Sequence, residues 1–147
     1  MSIDSYIKKI DNFSKNVKST DKEFVKLGGV LHSQIIKRTH SGKDANLKKF
    51  KEYSKNYYDY KKDSGRPVAN VNLSFYGQMM NGISKKKITK GVRLFFNNAD
   101  ALKKMISNHY GEGRKPARPF WGWDKMQIKF INKAIVQILR RGNLWST

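Results

Sequence analysis

Apolar residues near the N-terminus of the 147-residue chain follow helical spacing in two separate runs. The first run is a short amphipathic stretch at residues 3–13. The second starts at Thr20, which forms a capping-box pair with Glu23, and continues to about residue 38. Its apolar positions, three and four residues apart, are Phe24, Leu27, Leu31 and Ile35. We therefore predict an N-terminal arm or short helix over 1–19 and a separate helix from residue 20.

The middle of the chain predicts shorter elements. The polar stretch 43–66 predicts a loop followed by a short helix, and residues 73–83 predict another short helix. From Ser84 to Phe96 the pattern changes to that of two strands around a turn near Lys90 and Gly91. The sheet is therefore expected to be small and antiparallel, because this segment is where the sequence pattern indicates strands.

Two more helices are predicted in the last third of the chain. The first is capped by Asn98 or Asp100 and runs to His109. Its residues expected to face inward are Leu102, Met105 and Ile106. The second runs from an N-cap at Asp124 to Gly142. Its broad apolar stripe comprises Phe130, Ile131, Ala134, Ile135, Ile138 and Leu139.

These elements together predict an α+β protein in which several helices pack around a small antiparallel sheet and a long C-terminal amphipathic helix follows. With no internal repeat, 147 residues fit one domain large enough to bury a core without disulfides or metals. We predict a core over 20–141 and a short tail over 142–147.

Composition narrows the possible partners. The chain carries 31 Lys and Arg against 11 Asp and Glu, a net charge of +20, which favours polyanionic partners, above all nucleic acid. It contains no cysteine, so disulfides, thiolate metal sites and a cysteine nucleophile are excluded. Neither a signal peptide nor an apolar run long enough to span a membrane is present, and no membrane partner is expected.

The sequence contains no recognisable group of catalytic residues. No two histidines stand at the i, i+4 spacing typical of metal sites on helices, and the carboxylates are scattered singly. The phosphate-binding, nucleophile-elbow and dinucleotide-binding motifs are all missing. We expect neither an enzyme nor a cofactor.

Two regions could bind nucleic acid. The first is the predicted basic turn, whose cations could contact phosphates without reading bases; they are Lys85, Lys86, Lys87, Lys90 and Arg93. Lysines at this position are equally typical of an exposed strand edge protected against aggregation. The second is the tyrosine- and lysine-rich stretch 53–62, which could stack bases, although packing is the favoured interpretation.

A glycine- and proline-rich segment, residues 111–122, predicts a fixed backbone path followed by an aromatic cluster. We expect it to dock on a neighbouring subunit through an ion pair or a stacking contact of Arg118. The aromatic residues Phe120, Trp121 and Trp123 are expected to be either core residues or interface anchors. The candidate docking residues are Arg114, Pro116, Arg118, Pro119, Phe120, Trp121 and Trp123.

Residues 116–122, Pro-Ala-Arg-Pro-Phe-Trp-Gly, resemble the Pro-x-Arg-x-Phe-Leu-Gly signature of the virion-morphogenesis, or tail-completion, family of tailed phages. Trp121 stands where the family usually has Leu. Residues 73–79 resemble the family's Leu-x-x-x-Gly-x-Met/Leu element, which precedes a basic strand pair. The order of elements after about residue 20 is also similar.

The resemblance implies a structural virion protein of the head–tail junction, assembled in the host cytoplasm. It would be a tail terminator or a neck adaptor that forms a ring, commonly a hexamer, around passing double-stranded DNA without sequence specificity. Six copies would carry about 120 positive charges, whereas about 38 Å of duplex presents only about 22 phosphates. Acidic surfaces on other neck and tail proteins are therefore expected as partners. The alternative is a basic nucleic-acid-binding protein outside the virion.

Overall fold

The computed structural model describes the backbone of residues 3–89 and 91–141, and side chains from Thr20 onward. The elements in chain order are α1 (Ile3–His40), α2 (Lys55–Asp63), α3 (Gln78–Asn81), β1 (Ile83–Ile88), β2 (Gly91–Phe96), α4 (Ala99–Tyr110) and α5 (Lys125–Arg141). Strands β1 and β2 pair as an antiparallel hairpin. The predicted α+β class, with a long C-terminal helix, is confirmed.

Helix α1 is one continuous element of 38 residues, so the prediction of a separate helix beginning at Thr20 is wrong. Phe13 and Val17 continue the apolar spacing from the first run to the second, and a helix can therefore proceed without a break. Thr20 is buried within this helix. A capping-box sequence identifies a helix start only where the residues before it lack helical periodicity.

Two compact units make up the chain, each assembled from distant segments. Unit 1 contains residues 1–30, 85–93 and 125–147, and unit 2 contains 31–84 and 94–124. Helix α1 and the hairpin contribute residues to both. The single domain expected from chain length remains a prediction, and the expected tail at 142–147, with Gly142, lies outside the described residues.

Unit 2 has the larger described core. Its buried members are Ile35, Phe50, Val71, Leu73, Met79, Met80, Ile83 and Phe120. In unit 1, Phe24 of α1 and Ile138 of α5 are buried. Both helices therefore direct part of an apolar stripe inward, as expected of amphipathic helices.

The local predictions had mixed outcomes. The short helix after the polar loop, the hairpin and the Asn98 cap are confirmed; the Asn98 side chain accepts the Ala101 amide at 2.7 Å. The helix expected over 73–83 is reduced to the four residues of α3. Leu73 and Gly77 have φ angles of +52° and +77°, which no right-handed helix contains, and α3 begins directly after Gly77.

Three residues expected to face inward are exposed. Leu102 and Ile106 of α4 are 41% and 47% exposed, while Met105 packs against the unit 2 core. Phe130 of α5 is 67% exposed. Helical spacing defines an apolar face, but only the packing of other elements decides how much of that face is covered.

Candidate functional site

The segment 118–122, at the centre of the phage-like signature, is hydrogen-bonded to unit 2 along its length. The Arg118 amide donates to the Asn108 carbonyl at 2.8 Å, and the Pro119 carbonyl accepts the Ala45 amide at 2.8 Å. The Trp121 amide donates to Nδ1 of His109 at 3.2 Å. Backbone groups of this loop are therefore satisfied by two different parts of the unit, α4 and the loop that contains Ala45, which fixes its path.

Arg118 is only 5% exposed and is bonded entirely inside the chain. Its Nε donates to the Lys51 carbonyl and its terminal nitrogen to the Glu52 carbonyl, each at 2.9 Å. The guanidinium lies 5.2 Å from the centre of the Tyr53 ring. Burial lowers the pKa of Arg118, but an arginine remains charged throughout the physiological range.

A second buried arginine holds the other end of the segment. Arg38, in the last turn of α1, donates to the Phe120 carbonyl at 2.6 Å and to the Gly122 carbonyl at 2.9 Å. It also lies over the Trp123 ring at 5.6 Å. Arg38 was not among the site residues predicted from the sequence, although it follows the apolar Ile35 by three positions and therefore lies on the same, inward face of α1.

The residues predicted to dock on a neighbouring subunit therefore fall into two groups, those that are buried inside unit 2 and those that are partly or fully exposed. Arg118 and Phe120 are inside unit 2, where Phe120 is fully buried, and neither is available to a partner. Trp121 and Trp123 are partly buried against the same core. Pro116 and Pro119 are half-buried, and Arg114 is exposed. Any docking role falls to these partly or fully exposed residues and remains a prediction.

The residues of the predicted basic turn lie on two faces of the hairpin. Lys87 forms an ion pair with Asp21 of α1 at 2.5 Å, and Lys85 extends toward Gly29 of the same helix. Because side chains alternate along a strand, Lys86 lies on the opposite face. Lys86 and Arg93 are exposed and have no ion pair among the described residues. Lys90 lies outside the described residues.

Aromatic residues of the 53–62 stretch join Phe75 and Tyr76 in a chain of ring contacts. Tyr57 contacts Tyr53, with ring centres 4.9 Å apart, and Tyr60 stacks on Phe75 at 5.4 Å. Tyr53 points inward, and its hydroxyl accepts the Leu73 amide at 3.1 Å. Packing, the favoured interpretation, applies to Tyr53, whereas Tyr60 is 57% exposed.

Lys61 lies beneath this aromatic group and is fully buried. Its ammonium donates to the Asn72 side chain at 2.6 Å and lies 5.0 Å from the Tyr53 ring centre. Burial lowers its pKa. Lys61 therefore supports the inner side of the aromatic group and is not a surface cation for a polyanion.

Apolar side chains also remain exposed on two helices. On α5, Met126 and Phe130 lie one turn apart and are 81% and 67% exposed. On α4, Leu102, Ile106 and Tyr110 follow each other at four-residue intervals, and all are more than 40% exposed. Adjacent exposed apolar side chains on a helix are typical of a surface that contacts another protein.

The described residues contain no group of three or more His, Asp or Glu side chains that could hold a metal ion. The helices described in the structure do not include one that is long and apolar enough to cross a membrane. Compared with protein-family models, with curated proteins and with solved structures, the chain has no significant match in any of the three.

Proposed function

We propose that this chain is a structural, non-catalytic virion protein that joins tail to head at the head–tail junction of a tailed phage. In this role it acts as a tail-completion protein, either a tail terminator or a neck adaptor, and its ring surrounds the DNA channel. The observation that carries the proposal is the architecture of the 116–122 signature. Its Arg118 side chain binds two backbone carbonyls, and its Phe120 side chain is fully buried.

The exposed surfaces are compatible with a ring protein. Met126 and Phe130 of unit 1, and the outer face of α4 in unit 2, offer apolar surface to other subunits. A ring needs two different complementary surfaces on each subunit, because its contacts are head to tail. Lys86 and Arg93, which are exposed and have no ion pair in the part of the chain that the structure describes, supply positive charge for the DNA backbone or for acidic partner rings.

A nucleic-acid-binding protein outside the virion is the second candidate function. It is favoured by the net charge of +20, in which 31 Lys and Arg far outnumber the 11 Asp and Glu that could pair with them. Such a protein should bind DNA tightly in isolation, with affinity that falls steeply as salt increases. A junction protein should bind free duplex weakly and without cooperativity.

The proposal is tested by quantitative mass spectrometry of purified phage particles, with the copy number calibrated against the major capsid protein. We expect a low copy number consistent with one ring per particle. A major tail-tube protein, present in many copies, serves as the internal control for recovery. If the chain is missing from particles whose other neck proteins are recovered, the proposal is wrong and the second candidate is favoured.

A further inference from the structure

An exposed aromatic surface on unit 2 has no role in the proposed junction function. We define the aromatic surface as Tyr57, Tyr60, Arg66, Phe75 and Tyr76. Tyr60 and Phe75 are nearly parallel, with an angle of 10° between their ring planes, and Tyr76 meets Phe75 edge to face at 4.7 Å. Tyr57 contacts both Tyr60 and Phe75. The rings thus support one another in defined orientations.

These rings remain accessible despite their mutual contacts. Tyr60 and Tyr76 are 57% and 66% exposed, and Tyr57 is 37% exposed. A core cluster would be covered on its outer side, whereas more than half of the surface of Tyr60 and of Tyr76 is exposed to solvent. Rings fixed by one another lose little conformational entropy when a ligand stacks on them, and binding is therefore favoured.

Arg66 adds a positive charge to the same surface. Its guanidinium lies 5.6 Å from the Phe75 ring centre and 5.2 Å from that of Tyr76. Among the described side chains it has no carboxylate partner. Stacking on two rings orients the planar group and leaves its edge N–H donors for an incoming anion.

We propose that the aromatic surface binds single-stranded nucleic acid, with bases stacked on Tyr60 and Tyr76 and a backbone phosphate bound by Arg66. Flat aromatic side chains beside a cation are the combination that sequence-tolerant single-strand binders use. In duplex DNA the faces of the bases are stacked on one another, so that only the phosphates can contact the aromatic surface. The net charge of +20 favours a polyanion over a neutral or basic protein partner.

The test measures binding of the full chain to fluorescently labelled oligo(dT) of about 12 nucleotides, and to a duplex of equal length, by anisotropy. We expect the wild-type chain to bind the single strand more tightly than the duplex. Replacing Tyr60→Ala and Tyr76→Ala together should weaken single-strand binding about tenfold and leave duplex binding unchanged.

Salt dependence separates stacking from charge. Arg66→Gln should reduce the slope of log affinity against log salt by about 0.7, the amount for one phosphate contact on a single strand. The tyrosine variant should keep the wild-type slope, because stacking releases no counterions. If the surface contributed only general positive charge, the tyrosine variant would bind the single strand as tightly as the wild-type chain.

Matched controls are available in the same unit. Tyr110 is 71% exposed and lies outside the aromatic surface, and Arg114 is an exposed arginine without an ion pair among the described residues. Tyr110→Ala and Arg114→Gln should retain wild-type binding, and thermal unfolding verifies that each variant is folded. Equal losses in the control variants, or equal affinity for single strand and duplex, would overturn the proposal. Either result leaves the virion experiment unaffected.

Discussion

At the scale of single residues, two buried arginines hold the 118–122 loop by binding carbonyl groups. Arg118 reaches the carbonyls of Lys51 and Glu52, and Arg38 reaches those of Phe120 and Gly122. A planar guanidinium can bind two carbonyls at fixed angles, which a lysine ammonium cannot match. The loop's geometry therefore depends on arginine in particular, beyond the need for a positive charge.

Arg118→Lys should lower the free energy of unfolding by about 2 kcal/mol, because one carbonyl loses its donor and the Tyr53 stacking contact is lost. Urea denaturation measures the change. The matched control is Arg114→Lys, because Arg114 lies in the same 111–122 segment but is exposed. This substitution should alter the free energy of unfolding by less than about 0.5 kcal/mol. Equal effects of the two substitutions would show that the buried contacts contribute nothing specific.

His109 should make the stability of the protein depend on pH. Burial lowers its pKa, and its Nδ1 must be unprotonated to accept the Trp121 amide. The unfolded chain therefore takes up the proton first as pH falls, so this part of the stability is present above about pH 6.5 and decreases below it. Thermal unfolding between about pH 5 and 7.5 should show this decrease in wild type.

The matched pair for that experiment is His109→Gln and His40→Gln. The first removes the titrating group and should flatten the pH dependence over this range. The second alters an exposed histidine at the end of α1 and should leave the dependence in place. Identical pH profiles for wild type and His109→Gln would contradict the assignment.

At the scale of elements, α1 passes so close to the hairpin that one of its glycines has no room for a side chain. A Cβ on Gly28 would lie 2.5 Å from a methyl carbon of Val92, whereas one on Gly29 would meet only the flexible end of Lys85, at 3.3 Å. Of these two adjacent glycines, Gly28 is therefore required by the close packing of α1 on the hairpin, whereas Gly29 is not.

Gly28→Ala should destabilise the protein by about 1–3 kcal/mol, because the overlap with Val92 outweighs the gain in helix propensity. Gly29→Ala should instead be neutral or stabilising by up to about 1 kcal/mol. Combining Gly28→Ala with Val92→Ala should recover part of the loss in a double-mutant cycle measured by urea unfolding. Strictly additive losses would argue against the close contact.

The sequence predicted elements well where the signal was local. The hairpin, the Asn98 cap and the C-terminal helix each depend on residues that are neighbours in the chain. It was wrong about the start of α1, because Phe13 and Val17 extend the helical spacing of apolar residues through Thr20. It was also wrong about α3, where Leu73, with its left-handed backbone, is held by tertiary contacts: it is buried and its amide donates to the Tyr53 hydroxyl. Local propensity carries no information about such contacts.

The candidate surfaces were predictable only in part, for the same reason. The tyrosine-rich stretch was recognised, but Phe75 and Arg66 join it through the fold, and no spacing rule connects them to Tyr60. Likewise, the sequence placed Lys85, Lys86 and Lys87 in one turn. Their division between two faces depends on strand alternation and on the position of Asp21.

At the scale of the whole molecule, positive charge is concentrated in unit 1. Its segments contain 16 Lys and Arg against 4 Asp and Glu, and α5 has no acidic residue at all. Like charges within one compact unit repel each other and destabilise the folded state. Partners that bring negative charge should therefore stabilise the protein as well as bind it.

Thermal unfolding should shift to higher temperature as salt increases from about 0.01 M to 0.15 M, because the screening length falls from about 30 Å to about 8 Å. Replacing the exposed Lys125, Lys129 and Lys133 by Gln should raise the midpoint at low salt and reduce its salt dependence. A midpoint that falls with salt would indicate that attractive charge pairs dominate.

Contacts between residues far apart in the sequence also limit when each unit can fold. Arg38 and Phe120 are 82 residues apart in sequence, and Glu23 contacts Arg141 across 118 residues. Each unit combines segments that are far apart in the sequence: residues 31–84 with 94–124 in unit 2, and 1–30 and 85–93 with the segment that begins at residue 125 in unit 1. Closing such long loops is entropically costly and slow. Neither unit can therefore fold completely before its last segment has been synthesised, and a chain that ends before Arg118 leaves both units incomplete.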